Sequence, residues 1–120
     1  MLGFKIPKDT DKFSWTKHSI EKMKHYGLSE QRVKRVLRYP DRTEEGIATA
    51  TIAMMQRAGS KKRPHEIWTM FALLKSGKKR IISAWRYPGI SPGGKEIPIP
   101  REIRSEIERE IKKLKAQKYL

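Results

Sequence analysis

At Arg42 the spacing of apolar residues switches from a helical period to an extended one, and few folds accommodate that order in 120 residues. Before the switch lie two short helical segments. Ser14 or Thr16 caps the first, which turns Ile20 and Met23 inward at i, i+3 and runs to Tyr26; Gly27 then supplies the left-handed stop. Ser29 caps the second. Its Val33, Val36 and Leu37 follow i, i+3, i+4, and Tyr39-Pro40-Asp41 ends it as a turn. After the switch come three β-rich runs, residues 49–57, 66–74 and 80–86, with residues 42–47 as a further edge strand. The Lys75-Ser76-Gly77-Lys78 link has hairpin length, whereas residues 58–65 form a longer basic connection. The expected fold is α+β: two N-terminal helices packed on one face of a twisted antiparallel β-meander, with Trp68 or Trp85 in the core between them.

The remaining segments divide the chain further. Residues 1–12 alternate too weakly to assign and read as an N-terminal arm or a short edge strand, and residues 13–88 hold the domain just described. Residues 89–100, with the adjoining Tyr87 and Pro88, are rich in Pro and Gly and read as an ordered, irregular loop. In residues 101–120, Ile103, Ile107, Ile111 and Leu114 form one stripe of a C-terminal helix, with glutamates toward its start and lysines toward its end as the helix dipole favours. No internal repeat appears. An apolar share of 37% is low for a packed domain, but three tryptophans supply large units for burial and argue against wholesale disorder.

The absence of cysteine excludes disulfides, Cys-ligated zinc, iron–sulfur clusters and a thiol nucleophile. No stretch approaches a membrane span and the start lacks the apolar run of a signal peptide, so a cytoplasmic protein is expected. Asparagine is absent while Lys, Arg, Glu and Ile abound, a usage that leans toward a heat-adapted source. The net charge is +15, and residues 101–120 carry only +3 of it, leaving +12 on the body of the domain. The natural partner is a polyanion. Nucleic acid is favoured over a membrane surface, because the one strongly amphipathic segment mixes both charges on its polar side.

The residues from Phe13 to Met23 (FSWTKHSIEKM), then Tyr26-Gly27-Leu28-Ser29, the Val33/Val36/Leu37 helix and Tyr39-Pro40-Asp41, resemble the opening of uncharacterised His-helix domains related to RelE. The strand Arg80-Ile81-Ile82-Ser83-Ala84-Trp85-Arg86 resembles the final strand of those domains and, more distantly, the R-I-I-S-A-R strand of BrnT toxins; Trp85 stands where BrnT has its arginine. The resemblance covers about residues 13–88 and implies membership of the RelE/ParE toxin superfamily of prokaryotes. It implies a metal-independent endoribonuclease without a cofactor, acting on RNA, on the ribosome in some cases, and paired with a cognate antitoxin. Two alternatives stay open: a non-catalytic nucleic-acid- or ribosome-binding module of the same fold, and a ParE-like toxin with a protein target.

Cyclising RNA cleavage needs a proton acceptor for the 2′-OH, a proton donor for the 5′-oxygen, and cations for the phosphorane. His18 is the candidate acid or base, either alone or paired with His25 one aligned position away at i+7. The competing reading makes His18 a packed, hydrogen-bonded structural residue. Arg80 and Arg86, six apart on one strand, are expected on the same face as a phosphate clamp, with Tyr87 to stack on a base or donate a proton. Arg57, Lys61, Lys62, Arg63, Lys78 and Lys79 are expected to track the RNA backbone, with Trp68 and Trp85 nearby for stacking. No metal site is expected, since carboxylates do not fall at fitting positions around the two histidines.

Overall fold

A computed structural model of the chain describes residues 3–94 and 96–120. Its elements are β1 (Phe13–Trp15), α1 (Lys17–Tyr26), α2 (Glu30–Arg38), β2 (Arg42–Glu45), β3 (Thr51–Gly59), β4 (Pro64–Leu73), β5 (Lys79–Pro88) and α3 (Arg101–Ala116). Among the described residues the strands form one five-stranded sheet in the order β1-β5-β4-β3-β2. The class is α+β, as expected. Strands β2 to β5 meander antiparallel, but β1 pairs parallel with β5, Phe13 opposite Lys79 and Trp15 opposite Ile81, so the sheet is mixed. Three residues are too few to show strand alternation, and only pairing with a strand more than sixty residues away defines β1.

Local chemistry explains the helix ends. Thr16 caps α1, its Oγ1 accepting from Ser19 N at 2.9 Å, and Gly27 closes it with φ at 68°. Ser14, the other candidate cap, lies in β1 instead. Ser29 caps α2 by accepting from Arg32 N at 3.1 Å.

Both sheet faces are covered, which is why β4 is buried from Glu66 to Ala72 without polar alternation. On one face Met23, Leu28, Val33, Val36 and Leu37 meet Ile67, Phe71, Ile81 and Ala84. On the other, the α3 stripe of Ile103, Ile107, Ile111 and Leu114 packs on Met55, Trp68, Met70 and Trp85. Trp68 and Trp85 are therefore core residues, but under α3 and not under the N-terminal helices. They are cross-strand partners with near-parallel rings, 6.1 Å between centroids. The Pro/Gly loop is tied to the same face: Trp85 Nε1 donates to Pro98 O at 3.0 Å, and the buried Glu66 carboxylate accepts from Ser91 N, Ser91 Oγ and Trp68 Nε1. No helix among the described residues is long and apolar enough to cross a membrane.

The β4–β5 register shifts once. Met70 faces Ser83 but Phe71 faces Ile81, which leaves Ile82 as an extra residue on β5, a β-bulge.

If α3 is part of the core, Ile107→Ala costs about 2–5 kcal/mol of stability by transfer and cavity terms together. Urea unfolding checks this, and a loss below about 1 kcal/mol would mean that α3 does not pack on the sheet.

Candidate nucleic-acid interface

The bulge at Ile82 decides which side chains of β5 act together. Arg80 pairs with Ala72 on the α3 side, whereas Arg86 pairs with Ile67 on the α1/α2 side. The expectation that Arg80 and Arg86 share a face is overturned, because one extra residue inverts the alternation. Six residues at about 3.3 Å each also place them roughly 20 Å apart along the strand. Tyr87 lies opposite Glu66, half-buried against the α3 core. Trp68 and Trp85 are fully buried and offer no ring to a base.

His18 occupies neither end of β5. In the first turn of α1, it is 7% exposed, with Nε2 3.0 Å from Ser83 Oγ and Nδ1 2.6 Å from Glu106 Oε2 of α3. The carboxylate can only accept, so Nδ1 carries a proton, and in the neutral ring Nε2 accepts from the Ser83 hydroxyl. These are the contacts of a Ser–His–Glu hydrolase triad, but Ser83 is fully buried. Moving α3 to expose it would carry Glu106 away. The chain of contacts joins α1, β5 and α3, and it engages both ring nitrogens. Burial lowers the His18 pKa first, with Lys22 adding to the effect; the charges of Glu106 and Glu110 oppose it without prevailing. His25 is exposed and sits edge-on to Tyr26 at 4.8 Å, with no contact to His18.

A second cluster forms where α1 ends, α2 begins and the far end of the sheet emerges. Arg86 donates from Nε to Tyr26 O at 2.7 Å and from Nη2 to Gly27 O at 3.3 Å, capping α1, and its Nη1 lies 2.9 Å from His65 Nε2. Guanidinium nitrogens only donate, so His65 accepts at Nε2 and holds its proton on Nδ1. Arg32 reaches over from α2 to donate to Gln56 Oε1, and Gln56, Ile67 and Arg86 lie side by side across β3, β4 and β5. Burial is the main cause that lowers the Arg32 pKa, and the nearby charges of Arg35 and Arg86 add to it.

The β3–β4 turn at this same end exposes Lys61, Lys62 and Arg63, with Arg57 exposed at the end of β3. Gly59 makes the turn possible: its φ is 82°, and a Cβ there would meet Arg63 O at 2.3 Å and His65 Nδ1 at 2.8 Å. Lys78 and Lys79 stand at the opposite end of the sheet, where Lys79 Nζ lies 5.5 Å from the centre of the Phe71 ring. Of the expected site residues, Arg86, Arg57 and Lys61 to Arg63 thus gather at one end, Arg80, Lys78 and Lys79 at the other, and His18 between helices. His65 and Arg32 were not anticipated. Extending the 66–74 strand by two residues would have put His65 beside Arg86, but its position in a basic, polar run hid the strand start.

Comparison with family models, with curated proteins and with solved structures finds no match for the chain.

A buried imidazole with a lowered pKa resists the proton that the unfolded chain accepts. The stability it confers is complete above the ordinary histidine value of about 6.5 and is lost as pH falls below it. The urea midpoint of the wild type is therefore expected to drop more between about pH 7.5 and pH 5 than that of His18→Gln. Equal slopes would show that His18 titrates as it does in water.

Proposed function

We propose that the chain is a RelE-like toxin domain that binds RNA at the His65/Arg86/Arg32 end of its sheet and cleaves it without a metal, by attack of the 2′-oxygen on the neighbouring phosphorus. The element order, two helices and then a meander, supports the family reading together with the resemblance over residues 13–88. The observation that carries the site is the gathering of Arg86, Arg32 and Arg35 at one end of the sheet, where Arg86 Nη1 lies 2.9 Å from His65 Nε2, beside an exposed Lys61-Lys62-Arg63 turn. A phosphate is the ligand that would relieve such crowding. A phosphate that draws the donors of Arg86 frees His65 Nε2 to take the 2′-OH proton, while Arg86 and Arg32 hold the phosphorane charge. The P–O5′ bond then breaks, and the 5′-oxygen takes a proton from water to leave as a 5′-hydroxyl. The other fragment ends in a 2′,3′-cyclic phosphate, and His65 returns its proton to solvent. A cognate antitoxin that covers this end would block it.

A second reading is a non-catalytic RNA-binding module. The engagement of both ring nitrogens of His18 favours it, since the histidine of the family-like stretch is then structural.

Cleavage of a single-stranded RNA separates the two readings. His65→Ala should slow it about 100-fold or more, the usual worth of a general base, with little change in melting temperature. His18→Gln should lower stability and leave cleavage by the folded protein in place. Retained cleavage in His65→Ala removes that residue from the site, and salt-sensitive binding without any cleavage selects the non-catalytic reading. In either case, replacing Lys61, Lys62 and Arg63 together should flatten the salt dependence of binding by at most about three phosphate contacts; an unchanged slope places the RNA elsewhere.

A further inference from the structure

The end of α3 meets the β4–β5 turn at a cavity of about 620 Å³, on the opposite end of the sheet from His65. Lys75, Lys78 and Arg80 line it from the turn and β5, and Lys118 lines it from the chain end. None of these four cations is ion-paired among the described residues. Asp9 is the one carboxylate among the described residues that line it, and its Oδ1 accepts from Trp15 N at 3.1 Å. Four like charges facing one cavity repel one another, and an anion bound between them would reverse that cost.

Two details indicate a built cavity. The Arg80 guanidinium is aimed by the buried Ser14, whose Oγ accepts from Nη1 at 3.1 Å. Lys75 N donates to Tyr119 O at 3.0 Å, docking the chain end on the turn. Lys118 is more telling still. Helix α3 ends in a Schellman motif, with Tyr119 N bonded to Leu114 O and Lys118 N to Lys115 O, both at 3.1 Å. The residue at Lys118 has φ of 60°, the left-handed conformation in which glycine is preferred. A lysine there forgoes backbone ease and places a charge on the cavity. The ring of Tyr119, half-exposed, lines the same cavity and offers a face for a base.

We infer that this cavity binds the phosphate monoester of a nucleotide, with the phosphate between Lys75, Lys78, Arg80 and Lys118 and the base on Tyr119. The phosphate belongs either to a free mononucleotide or to the 5′ end of an RNA strand. This site does not depend on RNA binding at His65 and Arg86.

Titration of the full chain with adenosine 5′-monophosphate at low salt, followed by calorimetry or amide chemical shifts, tests it. AMP should bind at least about tenfold tighter than adenosine, the worth of one charge-assisted contact. Lys118→Gly should weaken AMP roughly tenfold without lowering the melting temperature, since glycine suits that backbone. Lys78→Ala should weaken it similarly, while Lys112→Ala, on the exposed side of α3 and outside the cavity, should leave it unchanged. A 5′-phosphorylated triadenylate that binds tighter than AMP through the same lysines identifies the RNA end as the ligand, and one that binds no tighter identifies the free nucleotide. AMP binding no better than adenosine, or unaffected by Lys118→Gly and Lys78→Ala, overturns the proposal. Loss of AMP binding in Arg32→Ala alone would assign the phosphate to the other end of the sheet.

Discussion

One extra residue in β5 sets the direction of every side chain that follows it. Without the bulge at Ile82, Arg86 would point to the α3 face and could not reach the end of α1. The bulge disrupts the ladder and leaves polar groups to be satisfied elsewhere. The start of α1 meets that need: Thr16 Oγ1 donates to Ile82 O at 3.0 Å, Thr16 N donates to Ile81 O at 3.1 Å, and His18 takes the Ser83 hydroxyl. The run Ser14-Trp15-Thr16-Lys17-His18 is thus a strap across an irregular strand. Strand and helix opening therefore depend on each other.

That dependence also separates what is legible in the sequence from what is not. Caps and stops are local, so Ser29, Gly27 and the Ile103-to-Leu114 stripe declare α1, α2 and α3 without reference to the rest of the chain. The meander is legible for the same reason, since its runs are bounded by turn residues. The bulge depends on register between β4 and β5, which no single segment encodes, and with it went the relation of Arg80 to Arg86. The faces of Trp68 and Trp85 were hidden likewise: β4 is apolar on both sides, so its pattern does not say which side α3 takes. His18 was legible as important and ambiguous in role, because Glu106 arrives from a helix almost ninety residues later.

The charge distribution follows from the same architecture. Two packed layers cover most of both sheet faces, so the basic residues of the strands and turns are left at the two ends. One end gathers Arg32, Arg35, Arg86 and the Lys61-Lys62-Arg63 turn, the other Lys75, Lys78, Arg80 and Lys118. Covering both faces with helices thus leaves separate basic surfaces at the two ends, each able to attract an anion on its own.

Helix α3 poses a problem of register that its apolar stripe does not solve. Ile103, Ile107 and Ile111 repeat at i, i+4, so a slide by one turn would still fill two of their three places with isoleucine. Burial alone would discriminate weakly between the two placements. The contact between His18 and Glu106 discriminates no better, because Glu102, Glu106 and Glu110 repeat at the same spacing and a one-turn shift presents another glutamate to the imidazole; what such a shift breaks is the end of the helix, where the Schellman turn would leave Lys75. The register is therefore set by the bond from Lys75 N to Tyr119 O, while the contact of Glu106 with His18 ties α3 to α1. The cavity bounded by Lys118 and Arg80 exists only in that register.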